Sequence, residues 1–308
     1  QFYHGSVYLE EDIADEQREK LKEALDGEKG IERYIDAETR NITLMNGKKE
    51  RSVYEYVLNP KGEVSGYVDF HNRKAKEKYT LTDRGAIISE KTAKLLGVKE
   101  GDTAYIKDEE NGNKAIRIEH ICENYMGHYI YLTPAYYEKV YGEPPEYNGI
   151  LFVAEDAEES EQMEQIGQRL LKKDGVVSVG YTHDIEKQLD DMLGSLNLVI
   201  VVLIISAGML AFVVLYNLNT VNIAERKREL ATLKVLGFYD PEVAGYVYRE
   251  NIILTFIGAV VGSGLGKVLH LFIIETVEVE SAMFGRNINP PSFLYSLILT
   301  VAFSMVIN

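Results

Sequence analysis

The sequence contains little cysteine and comparatively little basic charge. Its 308 residues include one cysteine, Cys122, so no disulfide forms within the chain and a small disulfide-stapled scaffold is excluded. Acidic residues outnumber basic ones, 48 to 33. An acidic domain repels nucleic acid and gains no attraction from anionic lipid, so neither is expected as a direct ligand of the acidic part.

The sequence also has no basic-then-apolar leader at its start, and it ends inside an apolar run. Both ends resemble cuts in a longer polypeptide. We expect the N-terminal part of the chain to lie outside the cell. Because an exported domain needs an upstream segment that directs its export, we expect a transmembrane helix before Gln1.

Charge and apolarity divide the sequence near residue 191. After that point the chain has only seven basic and eight acidic residues, so nearly all of its net charge of −15 lies before it. We therefore expect residues 1–191 to form an extracytoplasmic domain and residues 192–308 a membrane module. Within the first domain, residues 1–82 are expected to form a more variable subdomain than residues 83–191.

Three apolar runs predict transmembrane helices. Residues 196–216 contain no charged side chain, and as a helix they would be about 31 Å long, which matches the hydrocarbon thickness of a bilayer. Residues 251–274 form the second run. Residues 292–308 form a third run that is incomplete.

The second run carries a glycine at every fourth position, at Gly258, Gly262 and Gly266. Such a face lets helices approach closely in lipid, so helix packing is the favoured interpretation and a hinge is the alternative. Gly262–Lys267 is only superficially like a phosphate loop, because Val261 replaces the first glycine and Val268 replaces the Ser or Thr that holds magnesium. ATP is therefore expected to bind another chain.

Basic residues are distributed unequally between the two loops. The loop at residues 217–250 has five basic residues and the loop at residues 275–291 has one. Cytoplasmic loops carry the excess of Lys and Arg, so the first loop is expected inside the cell and the second outside, together with the N-terminal domain.

The first loop predicts a helix that ends in a sharp turn. Apolar residues recur at helical spacing between charges, at Leu218, Val221, Leu230, Leu233 and Leu236. Gly237 suits a helix C-terminus, and Asp240 suits the N-cap of the next helix with Pro241 at its first position. A short amphipathic helix of this kind suits docking in a groove of a soluble partner. The alternative is a solvated basic loop that only sets the topology.

The string from Glu225 to Gly237, placed between a transmembrane helix and a glycine-rich one, resembles the FtsX/MacB-type ABC transporter permease family. Gly85–Ile106 resembles the extracytoplasmic domain of MacB-type permeases. The resemblance implies four transmembrane helices per module, the first of which is missing here, and two modules per complex. It also implies that an ABC ATPase contacts the first loop, with coupling residues Glu225, Arg226, Lys227, Arg228, Glu229, Leu230, Leu233, Lys234, Leu236 and Gly237.

The implied function is that of a non-catalytic permease subunit in the cell membrane. ATP hydrolysis by the partner ATPase would move the extracytoplasmic domain, which would act on lipoprotein, peptide or antibiotic, or cell-wall partners. The alternative is a membrane-anchored sensor or adhesion protein without an ATPase partner.

Local signals in the first domain predict an α+β fold, followed by all-α transmembrane helices. Asn46-Gly47 predicts a hairpin turn. Ser89 and Thr133 are expected to cap helices that end at Gly97 and Gly142. A further helix from about His183 is expected to continue into the first membrane span.

Other candidate chemistry is weak. His120, Cys122 and His128 lack a zinc-binding spacing and a fourth ligand, so no metal site is predicted, and no cofactor is expected. No nucleophile with an adjacent base is visible, so no catalytic residue is predicted. The dense tyrosines from Tyr125 to Tyr147 could face a partner, although half-buried strand positions are the favoured interpretation.

Overall fold

A computed structural model describes residues 2–10, 13–59, 64–108, 112–155, 160–278, 280, 283–285 and 287–307. The chain divides into two compact units. The sheet unit contains Gln1–Leu189 and Val279–Met283, and the helical unit contains Asp190–Glu278 and Phe284–Asn308.

The sheet unit is built on one mixed sheet. Its strands are β1 Gly5–Leu9, β2 Ile31–Asn46, β3 Lys49–Leu58, β4 Ala86–Ser89, β5 Thr103–Ile106, β6 Lys114–Cys122, β7 Tyr129–Leu132, β8 Gly149–Ala154 and β9 Val176–Tyr181. Its helices are α1 Asp15–Asp26, α2 Glu90–Leu96, α3 Pro134–Tyr141 and α4 Ser160–Leu170, with a 3-10 turn at Val64–Gly66. The predicted α+β class is confirmed.

Six of the nine strands close into a ring. The strand order is β3-β7-β4-β6-β5-β2-β8-β1-β9, and an additional β2–β3 pairing joins the two ends of the first six strands. The long β2 makes this possible, because Ala37–Asn46 pairs with β3 whereas Ile31–Ala37 pairs with β8. Strands β3 and β7 are parallel, as are β4 and β6.

The predicted hairpin turn and helix starts are present, although Asn46 flanks the turn and the Ser89 side chain makes no capping hydrogen bond. Asn46 pairs with Lys49 across a two-residue turn, and Gly47 has a φ of 61° there. Ser89 lies at the N-terminus of α2, and Thr133 Oγ1 accepts a hydrogen bond from the Tyr136 amide at the start of α3. A second Asn-Gly pair that predicts a hairpin turn, Asn111-Gly112, lies partly outside the described residues.

Three clusters of buried apolar residues hold the sheet unit together. The first includes residues from all six ring strands and from α2 and α3, among them Leu44, Ile116 and Leu132. The second is rich in aromatic side chains from β3, β7 and the 67–70 segment. The third packs α1 and α4 on β1 and β8, with Phe152 at its centre.

The helical unit contains most of α5 Thr182–Val235, with α6 Asp240–Val277 and α7 Pro290–Ile307. Helix α5 begins directly after β9 and continues into the first apolar run, as expected. Among the described residues, the segments Asn197–Val235 and Ile252–Thr276 are long and apolar enough to cross a membrane. A shorter apolar helix covers Pro290–Met305, and it meets α6 where Thr255 Oγ1 lies 2.9 Å from Ser304 Oγ.

Candidate functional site

The predicted coupling residues lie at the C-terminal end of α5 and in the turn that follows it. The apolar helical segment Asn197–Val235 has 39 residues. A helix of that length extends about 58 Å, roughly twice the hydrocarbon thickness of a bilayer. The coupling stretch is therefore the continuation of the first apolar helix rather than a separate helix.

The turn between α5 and α6 has a defined geometry. The Phe238 amide donates to the Leu233 carbonyl at 3.2 Å and the Gly237 amide to the Lys234 carbonyl at 3.1 Å. These two bonds form a Schellman motif, which requires a left-handed residue after the helix, and Gly237 has a φ of 95°. The predicted role of Gly237 as the end of the helix follows directly from this conformation.

The predicted start of α6 is wrong by one residue. The N-cap is Tyr239, whose amide donates to Glu242 Oε2 at 2.9 Å, so Asp240 and Pro241 occupy the first two helical positions. Lys234 Nζ lies 2.6 Å from Asp240 Oδ1 and bridges the turn. At the first helical position the Asp240 carboxylate interacts favourably with the helix dipole and remains available to Lys234.

Large apolar side chains are exposed at this end of the hairpin. Val235 is 87% exposed, Leu236 69% and Tyr239 76%. Leu230 and Leu233 are half-buried, and the Lys227 and Arg228 side chains are exposed beside them. Arg226 Nε lies 4.0 Å from Glu229 Oε2 on the same helix. An exposed apolar patch rimmed by charge is typical of an interaction surface.

The predicted glycine face lines a groove in the helical unit. The groove has a volume of about 820 Å³ and is bordered by residues of α5, α6 and α7. A Cβ atom built on Gly258, Gly262 or Gly266 would meet no other atom within 4 Å. The prediction that this face packs closely against another helix therefore stays a prediction.

The other candidate sites do not come together. Gly262–Lys267 lies inside α6, where backbone amides are used in the helix and cannot cradle a phosphate. His120 stacks on Tyr79 with ring centroids 4.0 Å apart, and burial raises the pKa of the Cys122 thiol to about 12. Across the part of the chain that the structure describes, no three His, Cys, Asp or Glu residues are arranged to hold a metal ion.

The tyrosines between Tyr125 and Tyr147 are mainly structural. Tyr131, Tyr136 and Tyr137 are buried, and Tyr125 is exposed. Tyr136 and Tyr137 lie on helix α3, so the interpretation as strand residues is wrong for these two.

A buried polar cluster beneath α3 has no counterpart in the sequence analysis. Arg40 and Glu55 are cross-strand partners on β2 and β3, with Arg40 Nε 2.5 Å from Glu55 Oε2. Tyr141 donates to the second oxygen of Glu55 at 2.9 Å, and Tyr137 donates to Glu38 at 2.9 Å. Alternation along β2 places Glu38 and Arg40 on one face, which is a usable signal, but the pairing with Glu55 depends on strand register.

Two carboxylates share one guanidinium in this cluster. Burial raises the pKa of both Glu38 and Glu55, and Arg40 only partly offsets that rise. The Arg40 guanidinium lies over the ring of Tyr141, 3.9 Å from its centroid. Its charge therefore contacts both the carboxylates and the aromatic face.

Most of the helical unit matches a known protein family. The family described as FtsX-like permease C-terminal matches residues 199–307. The chain thus contains a segment similar to FtsX-like permeases. This match contains the whole coupling stretch, the glycine face and α7, so the sequence-based recognition is confirmed for this part of the chain.

The chain also has a curated relative. It is 27% identical over 191 residues to an uncharacterized ABC transporter permease of Methanocaldococcus jannaschii, and the match covers 61% of this chain. The matched region spans 47% of that relative, so the chain corresponds to about half of its length. The chain is thus homologous to an ABC transporter permease.

Two solved structures are similar over the sheet unit. One is the extracellular domain of the noncanonic ABC-type transporter YknZ from Gram-positive bacteria, with 16% identity, 58% of this chain and 98% of that chain covered, and a TM-score of 0.35. The other is the periplasmic region of MacB from Actinobacillus actinomycetemcomitans, with 11% identity, coverages of 61% and 92%, and a TM-score of 0.37.

Proposed function

We propose that this chain is the permease subunit of an ABC-type complex that passes movement from a cytoplasmic ATPase to the sheet unit. The observation that carries the proposal is the exposed apolar patch with basic neighbours at the end of the α5–α6 hairpin, inside the segment that matches the permease family. A groove on the ATPase that covers Val235, Leu236 and Tyr239 would remove this apolar surface from water.

The proposed orientation puts residues 217–250 in the cytoplasm and residues 1–191 outside, in a multi-pass protein of the cell membrane. Two observations support it. The basic residues concentrate in the first loop. Residues 279–283 of the second loop are part of the sheet unit, as expected if that loop and the N-terminal domain share one side of the membrane. The shorter apolar helix at Pro290–Met305 is proposed as a third span.

The chain itself is proposed to be non-catalytic. Its one phosphate-loop-like string is helical, so ATP would be bound and hydrolysed by the partner chain. A second permease module is proposed to complete the complex, either as a second copy or as the other half of a longer chain. Lipoproteins, peptides or antibiotics, and cell-wall components are the proposed classes of outer partner.

Copurification from membranes tests the ATPase contact. Changing Arg226, Lys227 and Arg228 to Glu reverses the charge beside the apolar patch and is expected to reduce recovery of the ATPase at least about tenfold, because unlike charges across an interface become like charges. Changing Lys29, Lys172 and Lys173 to Glu is the matched control, since these side chains are exposed on the sheet unit and the net charge changes equally.

Two outcomes would contradict the proposal. Equal recovery of the ATPase by the variant and the control would remove the docking assignment. Recovery of no ATPase with the unmodified chain would favour a membrane-anchored sensor or adhesion protein.

A further inference from the structure

The sheet unit includes a short segment of the connection between α6 and α7. The chain leaves the helical unit after Glu278 and returns to it at Phe284, and Val279–Met283 belongs to the sheet unit. The described residues of this piece are Glu280 and Met283, and we refer to them as the latch pair. From sequence, residues 275–291 are expected only to form an outer loop.

Met283 is held by burial and by a backbone hydrogen bond. Its side chain is only 4% exposed, and its amide donates to the Tyr125 carbonyl at 2.8 Å. Connecting loops usually run over the surface with their side chains in water, so a buried methionine marks a fixed attachment. The Tyr125 hydroxyl in turn donates to the Glu123 carboxylate, which fixes the receiving loop.

Glu280 lies beside Arg51 and His128 of the sheet unit. Glu280 Oε1 lies 3.3 Å from Arg51 Nη2. His128 lies in the same place: burial and the charges of Arg51 and Lys91 lower its pKa, and the Glu280 carboxylate opposes that shift. The Glu280 carboxylate therefore pairs with Arg51 and offsets part of the positive charge that acts on His128.

Arg51 is oriented toward this partner. Its Nη1 donates to the Glu50 carbonyl at 2.7 Å, and its Nε is buried without a hydrogen-bond partner among the described residues. Since one edge of the guanidinium is fixed to the backbone, the Nη2 edge is presented to Glu280. The ion pair joins β3 directly to the α6–α7 connection.

We propose that Glu280 and Met283 attach the α6–α7 connection to the sheet unit and form a path, additional to the covalent connection through helix α5, by which movement reaches that unit. The inference rests on the proposed function. A domain can pivot about its covalent links to neighbouring helices, whereas an additional noncovalent attachment restricts the pivot. In the ion pair between Arg51 and Glu280, the Glu280 side chain is mainly exposed to solvent. The ion pair can therefore break and re-form during the ATPase cycle.

The attachment can be tested without any ATPase. In the full chain in lipid nanodiscs, hydrogen exchange at the Met283 amide is expected to be at least about tenfold slower than in an unstructured peptide. Glu280→Arg is expected to speed this exchange, and Glu50→Arg on the neighbouring residue of β3 is expected to leave it unchanged. Exchange at the unstructured rate in the unmodified chain would overturn the inference while leaving the proposed function intact.

The coupling role is tested in the complex with the ATPase, by the ATP-dependent change in distance between spin labels on the sheet units of paired modules. Arg51→Glu and Glu280→Arg are each expected to reduce this change by at least about half, and the double exchange is expected to restore it, because the ion pair is rebuilt with reversed sign. Glu280→Gln, a mild change at an exposed position, is expected to act in the same direction.

The outcomes separate the two ideas. Copurification of the ATPase is expected to be unchanged in all these variants. Single variants that respond to ATP like the unmodified chain would overturn the latch. Absence of any ATPase from the unmodified complex would instead refute the proposed function.

Discussion

Apolar side chains are buried in the sheet unit and largely exposed in the helical unit. In the sheet unit, leucines and isoleucines such as Leu132 and Ile116 have no exposed surface. In the helical unit, the most apolar parts of Asn197–Val235 and Ile252–Thr276 have no fully buried side chain among the residues that the structure describes. The difference teaches that the sheet unit is stabilised by excluding water, whereas the helical unit presents its apolar surface to another medium or another molecule.

The largest expected contrast comes from one substitution made in each unit. Leu132→Ala is expected to lower the free energy of unfolding by about 2 to 5 kcal/mol, because it leaves a cavity in a closed core. Leu236→Ala is expected to change it by less than about 0.5 kcal/mol and to weaken recovery of the ATPase. Urea unfolding followed by the fluorescence of the 21 tyrosines measures the first effect. Equal losses of stability in both variants would break the comparison.

The local part of this fold was predictable from sequence. Ser89 lies at the predicted N-cap position, although its hydroxyl pairs with Thr92 Oγ1 and not with a helix amide. Gly47 and Thr133 act through neighbouring backbone groups, so their roles could be derived without knowing the tertiary structure. The apolar runs and Gly237 were predictable for the same reason. At the start of α6 the local signal was ambiguous, since Asp240 is acceptable both at the N-cap and at the first helical position.

The long-range part was not predictable. The ring of six strands depends on parallel pairing of Tyr54–Val57 with Tyr129–Leu132, which are distant in sequence. The contact of Met283 with Tyr125 likewise joins segments that are distant in sequence. The pairing of Arg40 with Glu55 follows the register of the β2–β3 hairpin, but its cover by Tyr141 of α3 is a long-range contact. From sequence alone, the charged residues Arg40 and Glu55 are expected on the surface, because their buried partners are not known.

The next largest effect is expected within the buried polar cluster. Arg40→Leu leaves the Glu55 carboxylate buried without its cation and is expected to destabilise the sheet unit by about 3 kcal/mol. That figure is the lower end of the usual range, because the Arg40 side chain is 32% exposed. Lys20→Leu, which breaks an exposed ion pair with Glu16, is the control and is expected to cost about 0 to 1 kcal/mol. Similar costs for both variants would show that Glu55 is solvated.

A smaller effect is expected at the turn of the hairpin. Gly237→Ala places a Cβ on a residue with a φ of 95° and is expected to cost about 1 to 2 kcal/mol. Gly208→Ala lies inside helix α5 with open space around it and is expected to stabilise that helix by about 0.5 to 1 kcal/mol. Thermal unfolding of the two variants in one detergent compares them. A Gly237→Ala protein as stable as Gly208→Ala would contradict the turn geometry.

The smallest expected effect is a pH dependence confined to the sheet unit. Burial raises the folded pKa of Glu38 and Glu55, so their contribution to stability is fully present below the ordinary glutamate pKa and is lost as pH rises through the folded values. Relative to Glu38→Gln, the unmodified chain is therefore expected to lose stability as pH rises. Urea unfolding at a series of pH values from about 4 to about 8 measures the difference. A difference independent of pH would contradict the raised pKa of Glu38.

Labelling with a membrane-impermeant maleimide tests the central claim most directly, namely that the hairpin end faces the cytoplasm and the sheet unit lies outside. The native Cys122 is buried and its raised pKa keeps the thiol unreactive. The labelling of a single introduced cysteine can therefore be measured without removing Cys122. We expect Tyr105→Cys to be labelled in intact cells and Lys227→Cys only after the cells are permeabilised. Labelling of Lys227→Cys in intact cells would contradict the account.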